Sequence, residues 1–172
     1  ALAASAVLEA GHRRIAFIHG TSASVTDARL CAFYEAAHES GIDVPAEYVI
    51  PSHYHSTRHA REDTRRLLSL RTPPTCILMV DDYSALGGMD VIRETGLRIP
   101  DDISVVGYDG IALIQKIHPR LTTVRQDGME IGRRAAMRLI RRLENPGAPM
   151  ERPDIVQGEL LLGETVKRID TP

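Results

Sequence analysis

Short runs of β-branched and aliphatic residues alternate along this chain with longer segments whose apolar positions recur every three to four residues. That alternation constrains the fold more than any other feature, because it is the pattern of βαβ units and so of a mostly parallel sheet covered on both faces. Strands are expected at Ile15–Ile18, Tyr48–Ile50, Cys76–Val80 and Ile103–Tyr108. The helices between them are expected at about 26–40, 57–70 and 83–95. The first carries a stripe of Leu30, Phe33 and Ala37 and stops at Gly41; the second buries Ala60, Leu67 and Leu68 before Pro73-Pro74 forbids continuation. The third is expected to be capped by Asp82 and ended by Gly96. A further helix opens the chain over residues 1–11 and closes on Gly11; with no charged or hydrophobic signal region before it, the chain is expected to be cut from something longer.

Past Tyr108 the rhythm changes. A loop from Gly110 to Arg120 contains Pro119, Leu121–Val124 reads as a short strand, and a long helix follows. Its stripe of Ala135, Ala136, Leu139, Ile140 and Leu143 is expected to face a core, while Arg133, Arg134, Arg138, Arg141 and Arg142 form a solvated face. The Asn145–Pro149 turn then leads to two last short strands, near Ile155 and at Glu159–Leu162.

Composition bounds the function classes. The 172 residues suit one domain, and with 43% hydrophobic residues but only 4% aromatic and no Trp, the core must rest on Ala, Val, Ile and Leu. Lys and Arg number 21 against 23 Asp and Glu, a net charge of −2 without a long run of one sign, which argues against nucleic acid as a partner of these residues themselves. The arginine-rich helix lacks interleaved aromatics for base stacking. The two cysteines, Cys31 and Cys76, sit in apolar company and are expected to be buried thiols in a reducing compartment. The apolar stretches fall short of the roughly 20 residues of a membrane span, so no membrane partner is expected.

In open parallel sheets ligands bind beyond the carboxyl ends of the strands. The segments there are polar: His19-Gly20-Thr21-Ser22, Ser52-His53-Tyr54-His55, Asp81-Asp82 and Asp109-Gly110. Converging with Arg29, they would make a polar pocket with one aromatic platform. Asp81-Asp82 is a candidate for a divalent cation or phosphoryl transfer, but adjacent acids rarely face the same way, and there is no phosphate-cradling glycine motif; Asp82 as a helix cap leaves Asp81 alone in the cleft. His53, His55 and His59 are zinc candidates, although the segment is a strand-to-helix loop with no Cys nearby, and solvated loop histidines explain them as well. There is no G-x-S-x-G elbow, and Cys31 lies inside a helix. Arg29, in a helix first turn, opposes the helix dipole and needs a partner: either Asp27 or Glu35 on the surface, or Asp109 or a ligand in the cleft.

These residues stand in a wider pattern. Thr72-Pro73-Pro74-Thr75, Asp81 through Gly87, and Gly96 through Asp109 closely resemble the LacI/GalR family of bacterial transcriptional regulators. Gly11 through Ile18, Ala28-Arg29-Leu30 and Leu121 through Gln126 fit the same family in the same order. The resemblance implies a Rossmann-like parallel sheet with helices on both faces, of the type I periplasmic-binding-protein-like kind. In this family two lobes are joined by three crossovers with the effector in the cleft. It implies residues 14–110 as the C-terminal lobe, 1–13 as the helix leading from the N-terminal lobe, and 111–172 as the return to that lobe and terminal strands, so that the second lobe is incomplete and the helix-turn-helix headpiece absent. Arg29 and Asp109 match residues that hold effector hydroxyls, Tyr54 an aromatic that stacks on the ligand, Asp81 a polar cleft residue and Gln126 a residue of the cleft floor. Leu86 and Met89 match part of a homodimer face. The sequence departs from the family pattern at Asp81, where Asn is frequent, at Ala32 and His59, where Gly is usual, at Gly110, where Asp or Asn is common, and at Gly163, where Arg is often found.

The expected function is the effector-binding and dimerisation portion of a cytoplasmic transcriptional regulator that senses a small polar metabolite, a sugar or derivative. It reaches operator DNA only through the headpiece and carries no catalytic residue, cofactor or metal. The alternatives are a periplasmic solute-binding protein, or a metal-dependent hydrolase or phosphotransferase using Asp81, Asp82 and His53 or His55.

Overall fold

A computed structural model of the chain describes residues 2–21, 24–147, 149 and 155–169. The elements run α1 (Leu2–Glu9), β1 (Ile15–Gly20), α2 (Ser24–Glu39), β2 (Val49–Ser52), α3 (Thr57–Leu68), β3 (Cys76–Leu78), α4 (Asp82–Glu94), β4 (Ser104–Asp109), β5 (Thr122–Arg125), α5 (Gly128–Glu144) and β6 (Glu159–Leu161), with single 3-10 turns at Ala46–Tyr48 and Ile114–Lys116. One six-stranded sheet results, in the order β2-β1-β3-β4-β5-β6. The first five strands are parallel, and β6 pairs antiparallel to β5.

Period-two alternation along each strand splits the core into two layers. Ile15 and Phe17 point to one face, where Ala4, Val7 and Leu8 of α1 and Phe33 and Ala36 of α2 cover them together with Leu78 and Val106. Ala16 and Ile18 point to the other, against Leu67 of α3 and Ala85, Met89 and Ile92 of α4, with Ile50, Ile77 and Val105 between. The strand sequences read as near-continuous apolar runs because both faces are buried.

Several expectations change here. The cap of α4 is Asp81, not Asp82: Asp81 is extended (φ −157°) and accepts from Ser84 N–H at 2.7 Å, which leaves Asp82 as the first helical residue. The stripe on α5 faces no core among the described residues; the helix has no buried residue, and Leu139 and Leu143 are 61% and 70% exposed. No strand forms at Ile155, which is exposed, and residues 150–154 just before it lie outside the described residues. Cys76 is buried, whereas Cys31 lies on the outward side of α2 and is exposed. Beyond residue 110 the chain does not leave the sheet at once: β5 and β6 extend it, and of the helices only α5 covers neither face.

Candidate ligand-binding cleft

The strand order decides where a ligand can sit. From β1 the chain moves outward to β2 and then returns past β1 to β3, so α2 and α3 cover opposite faces. At such a switch point the connections leaving the two strands run to opposite faces, and it is there, at the carboxyl ends, that open α/β sheets bind ligands.

Arg29 comes to this crevice from α2. Its Nη2 donates to the Val80 carbonyl at 3.0 Å, and the guanidinium carbon lies 3.4 Å from the centre of the Tyr108 ring. A cation stacked on a ring face is held by the ring quadrupole, worth about 0.5–2 kcal/mol. Arg29 thus turns inward to β3 and β4 rather than pairing with Asp27 or Glu35. Arg29 and Tyr108 also wall a cavity of about 240 Å³ between α1, α2 and the sheet, which Phe17, Phe33 and Leu78 make largely apolar.

Asp109 ends β4 with φ +116°, a conformation that non-glycine residues rarely adopt. Its Oδ1 accepts from Gln126 Nε2 at 2.8 Å, and its carbonyl accepts from Gln126 N–H at 3.1 Å. Half-burial raises its pKa, and the nearby Asp81 carboxylate adds to that; the Gln126 bond and the charges of Arg29 and His55 oppose it. Tyr54, half-buried after β2, shares a hydrogen bond with the Thr26 hydroxyl at 2.9 Å. Its ring lies over Gly20, where any Cβ would collide with it, so the close approach of ring to strand requires glycine.

Asp81 is present at the cleft but not open to it. It is 1% exposed, with Oδ1 taken by Ser84 N–H and Oδ2 by His55 N–H at 2.6 Å; the His55 Nδ1 lies 3.4 Å from the same oxygen. It therefore braces the loop after β2, holding His55 at φ +54°. Met89 departs further from expectation. It is 1% exposed and packed in the lobe's own core, with Leu86 half-buried against the same cluster, so Met89 has no surface to offer a second copy.

His53 and His59 stack with ring centres 4.1 Å apart, and His59 Nδ1 shares a hydrogen bond at 2.7 Å with the Oγ of Ser56, the N-cap of α3. Among the described residues no group of three or more His, Cys, Asp and Glu is arranged to hold a metal ion. Ser22 of the β1 loop lies outside the described residues.

Three contributors escaped the sequence reading. Thr26 precedes Arg29 by three residues, hence shares its helix face, and that spacing is a usable signal. Tyr108 was legible only as a strand residue, and Tyr83, 46% exposed, meets His55 edge-on with ring centres 6.0 Å apart through the tertiary fold alone.

Fold and cleft together define an α/β ligand-binding domain of the periplasmic-binding-protein type. The family model for a periplasmic binding protein-like domain matches residues 4–166, and the chain belongs to that family. Its relatives are LacI-type regulators. It is 34% identical over 146 residues to the ribose operon repressor of Haemophilus influenzae, covering 84% of this chain and 44% of the relative. It is 31% identical over 169 residues to the HTH-type transcriptional repressor PurR of Mannheimia succiniciproducens, covering 98% and 50%. Among solved structures, the transcriptional regulator CelR–cellobiose complex superposes with a TM-score of 0.88 at 26% identity, over 94% of this chain and 49% of that one. The chain spans about half the length of the curated relatives it matches. No helix among the described residues is long and apolar enough to cross a membrane.

Proposed function

We propose that this chain is the effector-binding portion of a LacI-type transcriptional regulator and that its effector is a sugar or a closely related polar metabolite. The observation that carries the reading is the inward turn of the Arg29 guanidinium onto the Val80 carbonyl and the Tyr108 ring, where its charge acts on the Asp109 carboxylate, with Tyr54 tied to the same helix through Thr26. A sugar hydroxyl both donates and accepts, so a charged donor and a charged acceptor suit it together, and the apolar face of a sugar ring suits Tyr54. Gln126 buttresses Asp109 at the floor, and Asp81 acts through the His55 loop. The printed names of the relatives, a ribose operon repressor and a regulator bound to cellobiose, support the same class of ligand.

In this reading α5 belongs with a second lobe that covers its apolar face, residues 1–13 lead in from that lobe, and β5 and β6 remain with the first. The regulator works in the cytoplasm as a homodimer whose contact does not involve Met89. It reads operator DNA through a helix-turn-helix outside these residues and turns over no substrate.

The test is calorimetric titration of the intact protein with D-ribose, cellobiose, the common hexoses and nucleosides. At least one compound should bind, and Arg29→Ala and Asp109→Ala should each weaken it about ten- to a hundredfold, the effect of removing one buried partner at ~1–3 kcal/mol. Binding by both variants as by the parent, or no binding by any compound, refutes the reading.

A further inference from the structure

Asp82 is fully buried yet has no part in the cleft as described above. Its Oδ1 accepts from the Thr123 hydroxyl at 2.6 Å, joining α4 to β5. Its Oδ2 accepts from Ile111 N–H at 2.7 Å, and the adjacent Gly110 N–H also favours the charged form of the carboxylate. Gly107 lacks the side chain that would occupy the space the carboxylate fills. Both amides immediately follow Asp109. They fix the direction in which the chain leaves β4, through Asp109 at φ +116° and Gly110 at φ +73°. A backbone in that region persists only where its surroundings determine it, and the bonds to Asp82 supply that determination. The other bond reaches Thr123, three residues before Gln126, which in turn holds both the side chain and the carbonyl of Asp109.

We propose that Asp82 is a positioning residue for effector recognition: by holding the amides of Gly110 and Ile111 and the hydroxyl of Thr123, it sets Asp109 and Gln126 in the arrangement that meets the ligand. The inference rests on the effector reading above for its functional consequence, but its structural half stands without a ligand. Burial raises the pKa of Asp82, the hydrogen bonds from Thr123 and Ile111 counter the shift, and the charge of Asp109 adds to it. A carboxylate kept buried against that penalty, with each oxygen accepting a hydrogen bond, fits a group retained to hold geometry.

Substitutions at Asp82 and Thr123 in the intact protein test it. Asp82→Asn keeps the shape but replaces one acceptor oxygen by a donor, so the Ile111 amide and the Thr123 hydroxyl can no longer each donate to an oxygen of their own. Thr123→Val removes only the hydroxyl, and Thr123→Ser restores it. The first readout is amide hydrogen exchange at Gly110, Ile111 and Gln126, the last reporting on its bond to the Asp109 carbonyl. Asp82→Asn should speed exchange at all three by at least about tenfold beyond what its fall in overall stability explains, and Thr123→Ser should leave exchange as in the parent. Unchanged exchange at Gln126 overturns the proposal whether or not any compound binds. The second readout is titration with the compounds named above. Asp82→Asn should weaken whichever of them binds the parent by about tenfold or more, and adding Asp109→Ala should cost much less than it does alone, because the two act as one unit. Multiplicative losses, or parental affinity with faster exchange, overturn the positioning role. If the parent binds none of the compounds, the effector reading has failed, and the exchange at Gln126 decides the rest.

Discussion

Asp81→Ala gives the sharpest test of how the cleft is built, because the structure assigns each carboxylate oxygen a separate task. Oδ1 caps α4 through Ser84 N–H, and Oδ2 satisfies His55 N–H in the loop after β2. Losing an N-cap acceptor costs about 0.5–2 kcal/mol, and stranding a part-buried amide adds about 1–3 kcal/mol. The sum is roughly 2–4 kcal/mol, since the His55 amide can regain some water. For a chain of this size each kcal/mol lowers the melting temperature by about 2–4 °C, so a fall of roughly 5–15 °C is expected. Asp81→Asn separates the two tasks. Asn is as good a cap as Asp, but its amide offers one acceptor where the carboxylate offers two, so it should lie between parent and Ala at about 1–2 kcal/mol. It should also lower the Asp109 pKa, because the Asp81 charge is one of the causes that raise it. Equilibrium unfolding in urea gives the stability order directly, and carboxyl chemical shifts followed against pH give the second result. An Asp81→Ala variant within about 0.5 kcal/mol of the parent, or an Asn variant as damaged as Ala, refutes the division of labour between the two oxygens.

Other expectations follow from single features of the structure. Met89→Ala should destabilise by about 2–5 kcal/mol as a core truncation, and Met89→Glu should unfold the lobe instead of releasing folded monomers in sedimentation, because the residue is 1% exposed in its own core. Gly20→Ala should displace the Tyr54 ring and break its bond to Thr26, read as a changed Tyr54 environment in aromatic NMR and about tenfold or greater loss of effector affinity. His12 is 1% exposed, bonded to the Thr75 hydroxyl and the Lys167 carbonyl, and burial lowers its pKa below the ordinary 6.5. The unfolded chain therefore takes up a proton at this residue before the folded chain does, so its contribution to stability is complete above pH 6.5 and lost as pH falls through the lower folded value. Urea midpoints measured from about pH 7.5 down to about pH 5 should fall in the parent and flatten over that window in His12→Gln; an equal slope in both removes His12 as the cause.

How much of this was legible beforehand depends on the range of the forces involved. Periodicity, Gly and Pro act within a few residues, and they marked β1 to β4 and α2 to α4 to within about two residues at most ends. The parallel sheet followed from that alternation. The positions of Tyr54 and Asp109 after strand ends were legible for the same reason, since a strand's carboxyl end is a local fact. What each neighbour of those residues does was not. Whether Asp81 or Asp82 caps α4 turns on which residue is extended, and Asp82 takes its other role from Thr123, 41 residues away in sequence. The inward turn of Arg29 needed Val80 and Tyr108, both brought near only when β3 and β4 join the sheet. An apolar stripe on a helix states that a cover is wanted but not who supplies it. The stripe of α4 is covered within this chain and buries Met89, while the stripe of α5 is left bare among the described residues. Local pattern sets the hydrophobic demand of each element, and only the packing of distant segments decides how that demand is met.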